Sequence, residues 1–250
     1  MKTYNQWLES LPKPHGTLKN YQKIAREALV SDSLPTNENE EWKFTNLKRV
    51  YNLFNLPIRL ETIDVSNNKF LEKGLPVSTQ AEYRVIVNSQ KEIVNCTEPP
   101  QGISILSDQE IAELIGRENR LKNTKNNWLI NLNEATTTQI LGLKIDNTVN
   151  TSLELVIPSS KGEFSSTRVL IVVEPETKFQ LTQIMLGTEN SSHNHLIEIN
   201  VGENSEVNHA FLSLGGGREA NLLTHCTVEQ DANSEYSLTS ILHGWSLARL

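Results

Sequence analysis

From about residue 127 onward, apolar and polar positions alternate in short runs, and corners rich in Asn, Gly, Ser and Thr separate them. Trp128-Leu129-Ile130, Leu141–Ile145, Leu153–Ile157 and Val169–Val173 read as strands. Between 169 and 242 one pattern comes round about three times, in Val172–Leu181, Asn200–His209 and Thr227–Leu238. Phe179, Val207 and Tyr236 hold equivalent places in it, 28 and then 29 residues apart. An apolar strand, a polar corner and a second alternating strand at a fixed period mark a solenoid. One unit cannot bury its apolar face alone, so coils stack and share a core. The pattern predicts a β-helix over residues 126–250, with long flat faces in place of the deep pocket of a two-layer enzyme domain. Pro158 and Pro175 fall at corners, because proline cannot donate to a ladder. Gly215-Gly216-Gly217 mark a wider corner, and Trp245–Leu250 read as the start of another strand with no cap after it.

The first 125 residues have a different texture and predict a small helical and α+β domain. Tyr4, Trp7, Leu8 and Leu11 sit at helical spacing before Pro12-Lys13-Pro14, and Leu18, Tyr21, Ile24, Ala25, Ala28 and Leu29 form a second helical stripe. Ser31–Glu41 is polar and predicts a loop, followed by Trp42 and Phe44 as apolar anchors. Tyr83–Val87 and Lys91–Val94, split by Asn88-Ser89-Gln90, predict a hairpin. Ser107-Asp108-Gln109-Glu110 carries an N-cap signature for a helix bearing Ile111, Leu114 and Ile115. The boundary with the solenoid is expected between 125 and 150.

Composition narrows the function classes. The 250 residues carry a formal net charge of -7, and 37% are hydrophobic, which suits a thin solenoid core. Lys and Arg are scattered, so nucleic acid and anionic membranes are not expected partners. The N-terminus lacks an apolar signal region, and no stretch reaches the roughly 20 apolar residues of a membrane span. A cytoplasmic protein is expected, with Cys96 and Cys226 as reduced thiols.

Candidate chemistry gathers late in the chain. His193, His195, His209, His225 and His243 cluster there, and His225 adjoins Cys226. Zinc or ferrous iron uses such ligands, yet no spacing here matches a ligand motif. Coil stacking alone can build a histidine ladder, so the expectation is outward or half-buried strand histidines without metal. His209 differs, because it aligns with Leu181 and Leu238 and should point inward. Cys226 shares a strand face with Val228 and reads as a small hydrophobe. Glu40-Glu41 and the pair Glu203 and Glu206 are acidic, the latter at a corner where solvated charge is expected. Gly215–Gly217 lacks the Lys-Ser/Thr and helix of a phosphate loop. The reading therefore assigns no catalytic, cofactor-binding or metal residue, and no enzyme.

Several segments together resemble the SufD family, the D subunit of the SUF (SufBCD) iron–sulfur cluster assembly complex. They are Arg26-Glu27-Ala28-Leu29, Leu34-Pro35-Thr36 and above all Glu40-Glu41-Trp42-Lys43-Phe44-Thr45-Asn46-Leu47. Asn131–Ala135 resembles the family's entry to the β-helix, and Glu198–Val207 one of its coils. The related SufB subunit shares the β-helix, but the short N-terminus with Glu-Glu-Trp favours SufD. The resemblance spans the chain and corresponds to two-thirds or less of a typical member. It implies a mainly β fold, a right-handed parallel β-helix behind a small N-terminal helical/α+β domain. It further implies a non-catalytic scaffold that pairs with a SufB-like subunit and carries a SufC-like ABC ATPase. Sulfur would arrive as persulfide, the cluster being built by the complex and not held by this chain alone. The family's cluster-linked histidine and partner-gripping helices lie further toward the C-terminus, so the chain reads as a truncated member whose open last coil is expected to make it aggregation-prone or a homodimer. Two other readings are weighed against this one. A carbohydrate-active β-helix enzyme would need secretion and a groove of clustered Asp and Arg, and a structural β-solenoid would carry many more near-identical repeats.

Overall fold

The computed structural model describes residues 3–14, 16–32, 34–58, 83–87, 93–94, 99–116, 127–147 and 151–250. Short helices come first: α1 (Tyr4–Glu9), α2 (Lys19–Ser31), a 3-10 turn at Glu40–Trp42 and α3 (Leu47–Asn52). Then follow β1 (Tyr83–Val87), β2 (Ile93–Val94), β3 (Ile103–Ile105), α4 (Asp108–Leu114) and α5 (Trp128–Thr136). The remainder is β: β4 (Leu141–Ile145), β5 (Thr151–Pro158), β6 (Phe164–Val173), β7 (Lys178–Leu186), β8 (Ser192–Val201), β9 (Glu206–Leu214), β10 (Asn221–Gln230), β11 (Glu235–His243) and β12 (Leu247–Arg249).

Two six-stranded sheets result, ordered β12-β10-β8-β6-β4-β3 and β11-β9-β7-β5-β1-β2. From β4 to β11 each strand passes to the opposite sheet, so the chain makes four turns of a parallel solenoid. Phe179 pairs with Val207 and Val207 with Tyr236, as the repeat requires. Between the sheets pack Leu153, Leu155, Val169, Ile171, Ile197 and Ile199, all buried. The sheets also take in strands that precede residue 125. Strand β1 pairs parallel with β5, and β3 lies antiparallel to β4. Strands β1 and β2 do form the expected hairpin ladder; its connecting residues 88–92, and the stretch 117–126, lie outside the described residues.

The same backbone device turns each repeat. Glu176, Asn204 and Asn233 adopt left-handed φ of 60°, 57° and 58° at one corner of successive coils, and asparagine tolerates that region well. Ser205 ties two coils together there, donating to the Glu174 carbonyl at 2.8 Å and accepting from the Thr177 N–H at 3.0 Å. Beside it Gly202 lies against the preceding coil, where a Cβ would meet Pro175 N at 2.6 Å and Val173 O at 2.8 Å. Backbone cannot swing aside as a side chain can, so Gly202→Ala is expected to cost about 1–3 kcal/mol. Thermal denaturation checks this, and an unchanged Tm would mean that the coils can slide apart.

A helical layer covers the outer face of the first sheet. This explains why β6 and β8 are buried along nearly their whole length, on both faces. Trp128-Leu129-Ile130 is not a strand but opens α5, capped by the Asn127 side chain accepting from the N–H groups of Leu129 and Ile130. Trp128, Leu132 and Ala135 face the other helices with helical period. Trp7 meets Phe54 and Phe164 at 5.1 and 5.7 Å between ring centroids, and Trp42 meets Trp128 edge-on at 5.8 Å. Phe44, expected as a second anchor, is instead 94% exposed, and Ile24 of the α2 stripe is likewise in solvent. No helix among the described residues is long and apolar enough to cross a membrane.

Candidate functional site

Alternation along a strand sends every second residue into the solenoid. In β8 the inward set is His193, His195, Ile197, Ile199 and Val201, and in β6 it is Ser165, Thr167, Val169, Ile171 and Val173. The upper part of the core is therefore polar. His193 and His195 are 1% and 0% exposed, contrary to the expectation of outward or half-buried residues. Ser165 Oγ lies 2.8 Å from His193 Nδ1, Thr167 Oγ1 2.8 Å from His193 Nε2, and the same Oγ1 2.7 Å from His195 Nδ1. A hydroxyl has one proton, so Thr167 donates to at most one of the two imidazoles. His195 Nε2 is buried and without a hydrogen-bond partner.

The opposite sheet continues the polar interior. His209 points inward as the repeat predicts, its register partners being Leu181 and Leu238. Its Nε2 lies 3.1 Å from Gln183 Oε1, and its Nδ1 lies 2.8 Å from the Tyr236 hydroxyl. That hydroxyl is 3.6 Å from Cys226 Sγ. Cys226 keeps exposed surface, yet desolvation pushes its thiol up, against the hydrogen bond from Tyr236. Desolvation holds His193 down at about 3 and His209 at about 4, and it pushes His195 well below its ordinary value. The imidazoles are thus neutral donors and acceptors at physiological pH.

On the outer face of the first sheet an ion triad locks α5 to the strands. Arg168 Nε donates to Glu198 Oε1 at 2.9 Å, Nη2 donates to the same oxygen, and Nη1 donates to Glu134 Oε1 at 3.1 Å. The Gly116 N–H reaches the other Glu198 oxygen at 2.7 Å. Alongside, Asn133 Nδ2 donates to the carbonyls of Thr167 and Asn194 at 3.0 and 3.2 Å, and Asn194 returns a bond to the Leu129 carbonyl.

The other candidates scatter. His225 lies half-buried on the outer face of β10, and desolvation lowers it. His243 is exposed at the end of β11, and Cys96 lies outside the described residues. Glu203 is exposed, while Glu206 pairs with Lys178 at 3.4 Å and accepts from Asn208. The Glu41 carbonyl accepts from Arg249, whose guanidinium stacks 4.1 Å over Trp42. Gly215–Gly217 packs against the neighbouring corners at Gly187, Thr188 and Gly244. Among the described residues no three His, Cys, Asp or Glu side chains converge to hold a metal ion. The sequence reading missed Ser165, Thr167, Gln183 and the triad; the polar run Ser165-Ser166-Thr167-Arg168, leading directly into Val169–Val173, was the available signal.

Residues 156–250 match the family model for the SUF system FeS cluster assembly, SufBD core domain. The matched segment runs from within β5 to the end of the last strand and includes His193, His195, His209 and Cys226. It supports the SufB/SufD family and ties the chain to iron–sulfur cluster assembly by the SUF system. No curated protein matches the chain.

Proposed function

We propose that this chain is a D-type scaffold subunit of the SUF system, cytoplasmic and non-catalytic, which pairs with a SufB-like subunit and carries a SufC-like ABC ATPase. The observation that carries the reading is the coincidence of the SufBD core match with stacked parallel coils. A solenoid ends in strand edges, and pairing edge to edge with a second β-helix satisfies them. The D-type assignment draws on Glu40–Leu47. Trp42 in this motif is buried against Trp128 beneath Arg249, so the motif docks the N-terminal helices onto the β-helix. The non-catalytic role draws on the core, where the imidazoles lie closed off from solvent, with hydroxyl and amide partners. The iron–sulfur cluster is then cargo of the assembled complex.

The test is affinity purification of the tagged protein from its own host, with mass spectrometry of the co-purifying chains. Stoichiometric recovery of a SufB-like chain and an ABC-type ATPase is expected. A protein recovered alone, or only as a homodimer, would overturn the assignment.

A further inference from the structure

A groove of about 420 Å³ crosses the outer face of the first sheet at the C-terminal ends of its strands. Lys144, Val172, Asn200 and Glu229 stand in register across β4, β6, β8 and β10. Four strands at the usual spacing make a row about 15 Å long. Helix α4 and the residue before its cap form a wall, through Leu106, Glu110 and Leu114. Leu114 of the wall and Val172 of the floor are only partly buried, so the groove presents apolar surface beside the polar Lys144, Asn200 and Glu229. The rim is acidic: among the described residues Glu110, Glu174, Glu229 and Asp231 line the groove with one cation, Lys144, and that cation is paired with Glu174. Glu110 is engaged by its own capping box with Ser107. Among the described residues the uncompensated charge therefore lies at Glu229 and Asp231, at one end of the groove.

We propose that this groove docks a cationic, partly apolar segment of a partner protein, with Arg or Lys beside Leu- or Val-sized side chains. Charge complementarity selects the sign of the occupant, and the floor selects an amphipathic chain. Only two carboxylates, Glu229 and Asp231, stand uncompensated there, and among the described residues no three ligating side chains converge, which suits a chain and not a single ion. A row of 15 Å accommodates about four or five extended residues at about 3.3 Å each. Solenoids commonly recognise chains across their stacked coils in this way. The inference stands independently of the subunit assignment, because it uses only the groove's own shape and charge.

The experiment is fluorescence anisotropy of the full chain with labelled Arg-Leu-Arg-Leu-Arg-Leu and Arg-Gln-Arg-Gln-Arg-Gln peptides. Glu229→Gln/Asp231→Asn is compared with Glu9→Gln/Glu38→Gln, which removes the same charge from exposed positions on the N-terminal helical layer. The groove variant is expected to weaken binding of the Leu peptide at least tenfold and the control less than twofold, with the Gln peptide several-fold weaker on the wild type. Equal losses from both variants would reduce the effect to general attraction by an acidic protein and overturn the proposal. So would a Gln peptide bound as tightly as the Leu peptide, or no binding of either.

Discussion

Arg168→Met is expected to destabilise the protein by about 3–5 kcal/mol, the cost of stranding buried charges by removing their partner. Arg168 is 3% exposed by side chain, Glu198 8% and Glu134 14%, so neither carboxylate can recover its hydration without movement of α5 or β8. Methionine fills much of the volume, which leaves the charge as the main difference. At about 2–4 °C per kcal/mol for a chain of this size, the loss corresponds to roughly 6–20 °C in Tm. The triad can be separated from simple packing by the triple variant Arg168→Met/Glu134→Gln/Glu198→Gln, which leaves no stranded charge and should recover most of the loss. If the single variant melts within 2–3 °C of the wild type, or the triple variant is as unstable as the single, the triad does not hold α5 to the sheet as described.

How much of this was legible in the sequence depended on whether a feature repeats. Phe179, Val207 and Tyr236 must stack because the coils share a core, so their spacing stated the register directly. The inward turn of His209 followed from the same alignment. His193 and His195 could have been placed too, since they share parity with Ile197, Ile199 and Val201. Treating histidine as a surface residue overrode that parity. Trp128-Leu129-Ile130 was ambiguous because three apolar residues have no period, and the Asn127 cap decides for helix. The triad was out of reach, as it joins an α5 residue to strand residues 30 or more positions away. Phe44 misled for a different reason: it lies in a motif whose neighbour Trp42 is the true anchor, and only the packing against Trp128 separates the two.

A polar interior is costly in a solenoid, where Val, Ile and Leu could fill the same positions; it is tolerated because both nitrogens of His193 and His209, and Nδ1 of His195, find partners across the coils. The arrangement makes stability depend steeply on mild acid. His193, His195 and His209 are held neutral by desolvation, with His193 near 3 and His209 near 4, whereas in the unfolded chain each returns to about 6.5. Below 6.5 the unfolded state binds protons that the native state refuses, so stability is complete above that pH and is lost as pH falls toward the folded values. Each histidine approaches about 1.4 kcal/mol per pH unit below 6.5, so the three together remove about 5 kcal/mol between pH 6.5 and 5. His225, only half-buried, adds a smaller loss in the same direction. Carboxylates enter mainly below pH 5, which isolates the histidine contribution. Chemical denaturation at pH 7.5, 6.5, 5.75 and 5 should therefore show a progressive loss, and His209→Gln, whose amide can still bond Gln183 or Tyr236, should reduce the slope by about a third. A slope that is flat from 7.5 to 5, or unchanged by His209→Gln, would mean that the core admits water or protons to its imidazoles, and the closed polar row would have to be abandoned.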